Sequence, residues 1–123
     1  MALFQDKRTT VNLPIPTDAA ALHQAIVNLL TNDGYKQYTY PKTGELVWKK
    51  GTGFLTAMRF MKLDYQPSVL ILSGWVAGGF FDMIGREMEL QGAAAALPKK
   101  LAKTTFDNIQ KLAASSYTGQ SYT

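Results

Sequence analysis

Residues Val69–Gly85 read VLILSGWVAGGFFDMIG, the most apolar run in the chain, and the reading of this run decides the fold. A helix that crosses a bilayer needs roughly 20 predominantly apolar residues. Here only 13 residues, Val69–Phe81, precede Asp82, and Gly74, Gly78 and Gly79 interrupt them, so a spanning helix is not expected. Val69, Leu70, Ile71 and Leu72 are continuously apolar rather than alternating, the pattern of a strand covered on both faces. A central strand follows, with helices on one face and something else over the other. Beyond Trp75 the character changes. Two adjacent glycines permit tight turning, while Phe80, Phe81, Met83 and Ile84 favour burial. The segment GGFFDMIG is longer than a tight hairpin demands. It either folds back over the uncovered face of the sheet or presents its aromatic side chains to a partner.

Upstream, RTTVNLPIP places Val11, Leu13 and Ile15 two apart, as in a short strand with one buried face, and Pro14 and Pro16 end it or hold it at a sheet edge. TDAAALHQAIVNLLTNDG carries a helix with Leu22, Ile26, Leu29 and Leu30 on one stripe. Thr17 is placed to cap it, Asp18 suits its positive end and Gly34 its left-handed close. The period then shortens to two in YKQYTY, PKTG and ELVWKKG, a hairpin turning at Pro41 and Gly44 whose register the pattern leaves open. GTGFLTAMRFMKLDYQ reads as a Gly-marked bend and a long strand, and REMELQG as the last strand, with Met88 and Leu90 on one face. Leu97, Leu101, Ala102, Thr105, Phe106, Ile109, Leu112 and Ala113 keep helical spacing in a final helix that starts near Leu97, so that Pro98 falls in its first turn.

The predicted order is thus β-α-β-β-β-β-β-α: an α+β fold, an antiparallel sheet of five or six strands with two helices on one face. Residues 1–114 form one domain and the polar stretch 115–123, SSYTGQSYT, reads as a flexible tail. In architecture this order resembles the small helix-grip and TATA-binding-protein-like domains, in which a curved sheet wraps around helices. The resemblance covers most of the chain and implies that fold; it brings no site residues and no function with it.

A chain of 123 residues, 46% hydrophobic and 18% charged, is the size and mixture of one globular domain that can bury a core without staples. The absence of cysteine excludes disulfides, a thiol nucleophile and thiolate metal sites. A single histidine, His23, excludes a multi-histidine metal site within one chain, and no metal or cofactor is expected. The net charge of +4 is compatible with acidic partners without identifying one. MALFQDKRTT lacks the cationic, apolar and small-residue succession of a signal peptide, so the cytoplasm is the default expectation.

Several constellations could carry chemistry. Neither GWVAGG nor KKGTGF continues into the Gly-Lys-Ser or Gly-Lys-Thr of a phosphate loop. His23 has no GxSxG serine or acidic third member beside it in sequence, and an exposed, ordinary histidine accounts for it better. Asp64, Glu87 and His23 would be the members of an enzyme site if they converged, whereas Glu87 and Glu89 alternating with Met88 and Leu90 read more simply as the solvated face of a strand. Lys36, Tyr38, Tyr40, Trp48, Lys49 and Lys50 interleave basic and aromatic residues along one hairpin, the ingredients of a nucleic-acid stacking platform; a twisted hairpin with one aromatic face in the core is the plainer account. Lys99, Lys100, Lys103 and Lys111 decorate the last helix opposite its apolar stripe and, beside exposed phenylalanines, would attract an anionic membrane surface. The leading expectation is a non-enzymatic binding or regulatory module. It would dock a protein partner, a second copy or a small apolar ligand through Trp75, Phe80, Phe81, Met83 and Ile84, with a nucleic-acid or membrane-surface binder and an enzyme as alternatives.

Overall fold

The structure is a computed structural model that describes residues 7–51, 57–80, 83–90 and 96–121. It runs β1 (Thr9–Pro14), α1 (Ala20–Asn32), β2 (Lys36–Thr39), β3 (Leu46–Lys50), β4 (Met58–Gln66), β5 (Val69–Phe80), β6 (Met83–Met88) and α2 (Ala96–Ser121), the order expected. The six strands form one antiparallel sheet in the order β1-β5-β4-β3-β2, with β6 also paired to β5. Since β4 holds the other edge of β5, β6 and β1 lie in succession along the same edge: Met88 faces Val76 and Thr9 faces Gly74. Two bonds tie them, from the Lys7 amide to the Glu87 carbonyl at 3.1 Å and from the Leu90 amide to Thr9 Oγ1 at 2.9 Å.

The apolar run is indeed the central strand. Along β4 and β5 the side chains alternate between two cores. Leu70, Leu72 and Val76 join Met61, Tyr35 and Leu90 under the helices, where Leu22, Ile26 and Leu30 of α1 and Ala102, Phe106, Ile109 and Ala113 of α2 meet them. Trp75 and Ala77 face the other way with Tyr40, Val47, Met58 and Phe60. Gly74 lets α2 pack closely on the sheet, because a Cβ there would stand 2.8 Å from Phe106 Cδ2.

Local details depart from the sequence expectations in three places. α1 begins at Ala20, and the Asp18 carboxylate, not Thr17, accepts the Ala20 amide at 3.1 Å; Gly34 closes the helix at φ +89° as expected. GGFFDMIG is not a long connection, because β5 continues to Phe80 and pairs with a β6 that starts at Met83, leaving only Phe81 and Asp82 between them. The last strand therefore lies earlier than REMELQG. Finally α2 continues to Ser121, past the start of the expected polar tail, since serine, threonine, tyrosine and glutamine extend an already nucleated helix at small cost and Gly119 alone costs about 1 kcal/mol.

Candidate functional site

The far face of the sheet is not bare. Arg8, just ahead of β1, lays its guanidinium over Trp75 with Cζ 3.7 Å from the ring centroid, and 5.5 Å from that of Tyr40. Nε and Nη2 donate to the Glu87 carboxylate at 2.6 and 2.7 Å, while Nη1 and Nη2 donate to Glu45 at 3.0 and 2.8 Å. The planar fork suits this use, since it pairs two carboxylates bidentately and stacks on an indole at once. Glu45 also accepts from Lys62 Nζ at 2.7 Å and from the Thr43 hydroxyl at 2.6 Å, so the β2–β3 turn is held to the sheet by the same carboxylate. Burial alone would lower the Arg8 pKa, but the hydrogen bonds with Glu87 and then Glu45 raise it overall. Those bonds from Arg8, against the effect of burial, hold Glu45 down to about 2. Beneath, Trp75 and Phe60 stack at 5.4 Å, Tyr40 meets both edge-on, and Trp75 Nε1 donates to the Tyr40 hydroxyl at 3.3 Å. Burial pushes the Tyr40 hydroxyl pKa up.

This arrangement corrects one sequence expectation. Met88 and Leu90 do pack toward the helices, but Glu87 is 4% exposed, so its face is not solvated. Nor do the three members of the hypothetical enzyme site converge. Glu87 lies level with Met58 on the far face, and Asp64 stands six residues along β4, about 20 Å away at 3.3 Å per residue. His23 is on the helix side, where its Nδ1 shares a hydrogen bond of 2.7 Å with the Tyr65 hydroxyl. Burial raises the Tyr65 pKa to about 12. Among the described residues no three His, Asp or Glu side chains are grouped to hold a metal ion.

The expected docking residues fall in different places. Trp75 is fully buried beneath Arg8, and Ile84 is half-buried against the far-face core. Phe80 and Met83 face each other in the register of β5 and β6, and Phe81 lies outside the described residues. Two residues of β6, Gly85 and Arg86, oppose the single Gly78, a bulge that turns Ile84 to the same face as Glu87 despite their odd spacing. Among the described residues, Ala77 is the last of β5 with a β4 partner. Beyond it, Gly78–Phe80 and Met83–Ile84 pair with one another, as a two-stranded arm continuing the sheet.

The basic and aromatic set of the β2–β3 hairpin is also divided. Trp48 packs under the helices and Tyr40 is sealed in the far-face core. Lys50 Nζ donates to the Asp33 carbonyl at the end of α1. Lys36, Tyr38 and Lys49 remain together on the far face, with Lys49 Nζ 4.3 Å from the Tyr38 ring centroid. No described helix is long and apolar enough to cross a membrane. The chain matches no protein-family model, no curated protein and no solved structure.

Proposed function

We propose that the protein is a non-enzymatic docking module that engages a protein partner through the β5–β6 arm, with a second copy of the chain as the simplest occupant. The observation that carries this reading is that, among the described residues, β4 pairing ends at Ala77, beyond which an arm rich in Gly, Phe, Met and Ile pairs with itself. A two-stranded ribbon outside a sheet is marginal in water unless its side chains pack against something. The Gly78 bulge supports the reading, since bulges at the ends of strand pairs re-aim side chains. Burying a few apolar side chains of the arm would contribute several kcal/mol at ~25 cal/mol per Å², before association entropy is subtracted. That is enough for docking and too little for a tight complex alone.

The test replaces Phe80 and Phe81 together with serine in the full chain and compares thermal unfolding with sedimentation over a range of concentrations. Self-association by the wild type that disappears in the variant, with an unchanged unfolding midpoint, is the expected outcome. A variant that no longer unfolds cooperatively would place the rings in the monomer's own core and end the docking reading. A wild type that stays monomeric throughout would remove the second copy as occupant.

A further inference from the structure

Three strands away from the arm, β2 and β3 bring two lysines into direct opposition. Lys36 and Lys49 are Cα partners in the register. Such pairs stand with Cβ atoms about 5 Å apart on one face, and like charges placed so destabilise a sheet. Three other basic side chains are paired with carboxylates: Arg8 with Glu45 and Glu87, Lys62 with Glu45, Lys103 with Asp107. Neither Lys36 nor Lys49 has a carboxylate within salt-bridge distance among the described residues. The two border a cleft of about 350 Å³ that Gly34, Gln37, Tyr38, Lys50 and Gly51 complete. Lys49 Nζ lies 4.3 Å from the Tyr38 ring centroid, a contact that favours one placement of that charge.

We propose that this cleft binds the phosphoryl group of a small phosphate ester or polyphosphate between the Lys36 and Lys49 ammonium groups. The charge count favours phosphate over a carboxylate, because two apposed cations are matched by one dianion, and lysine serves phosphate as a point charge. The fate of the aromatic residues favours a compact ligand over a nucleic-acid strand. Trp48 and Tyr40 are committed to the two cores and Lys49 lies over Tyr38, so bases would find no stacking platform. The rival account is that Lys36 on β2, the strand at the end of the sheet, with Lys49 beside it on β3, repels other strand edges and binds nothing.

The experiment titrates inorganic phosphate and pyrophosphate into the full chain at constant ionic strength, following amide shifts and heat. The wild type, K36Q/K49Q, and K100Q/K111Q on the outer face of α2 are compared. Saturable binding by the wild type, weakened about tenfold or more in K36Q/K49Q and unchanged in K100Q/K111Q, is expected. Absence of saturation up to about 10 mM, or equal weakening in both double variants, would overturn the proposal by reducing the effect to net charge. Self-association of K36Q/K49Q with no response of the wild type to phosphate would overturn it in favour of edge protection. If K36Q/K49Q does not fold, the wild-type shifts decide: centred on Lys36, Tyr38 and Lys49 they support the site, and dispersed they overturn it. Parallel titrations with a nucleoside triphosphate and with phosphatidic acid vesicles distinguish a soluble source of the phosphoryl group from a lipid headgroup; binding confined to vesicles would overturn the small-ligand assignment.

Discussion

Arg8 does more for this fold than its place just ahead of β1 suggests. It lies 37 residues from Glu45 and 79 from Glu87, yet it joins both carboxylates over the Trp75 ring. Replacing it with alanine takes the bidentate Arg8 contact from the buried Glu87 and uncovers the indole, so R8A is expected to lose about 2–4 kcal/mol in urea unfolding. Lysine keeps the charge without the planar fork, and R8K should recover only part of that loss. The same contacts set an acid limit. Glu45 titrates at about 2 in the folded protein against 4.5 as its ordinary value, chiefly because Arg8 donates to it. A depressed folded pKa means that its contribution is fully present above about pH 4.5 and is lost as the pH falls through about 2. The unfolding midpoint should therefore drop between those values, and E45Q should flatten that drop. None of this was legible in the sequence, where an arginine after MALFQDK carries no periodic signal and Glu87 beside Met88 reads as solvated.

Elements were far easier to read, because period and punctuation are local. Val11 and Leu13 spaced by two, and the stripe of Leu22, Ile26 and Leu30, gave β1 and α1, and both bury those residues against one core. β6 was misplaced for a physical reason. Alternation located Met88 and Leu90 correctly, but the bulge opposite Gly78 breaks the period just before them, so Met83–Gly85 looked like a loop when it is strand. Gly74 gives a test at this scale. An added methyl would sit 2.8 Å from Phe106 Cδ2, 3.1 Å from Leu90 Cδ1 and 3.2 Å from Met61 Sδ, wedging α2 off β5. Gly74→Ala is expected to cost about 1–3 kcal/mol by chemical denaturation, as overpacking does, and a neutral result would show that the helix shifts freely.

Across the whole molecule, two cores share one sheet, and their unequal covers matter for function. The inner face is closed by two helices, the outer by a charged clamp anchored in sequentially distant strands. The clamp does not reach the arm beyond Ala77 or the Lys36–Lys49 pair of the β2–β3 hairpin, the two places proposed above as docking arm and phosphate site. The serine double replacement at Phe80 and Phe81 should change association without changing the clamp, and R8A should change stability without changing phosphate binding. Measuring both variants in both assays checks whether arm, clamp and cleft are independent, as their separation in the sheet predicts.

Composition, hydrophobic period and turn residues determined the α+β class, the element order, the central position of Val69–Leu72 and the two-helix face, because each is a property of neighbours along the chain. Which of Tyr38, Tyr40, Trp48 and Trp75 would be buried, which acid Arg8 would meet and which lysines would stand opposite each other were decided only by the tertiary structure. Those outcomes depend on strand register and on one bulge, and a register is a relation between residues that the chain brings together only when it folds.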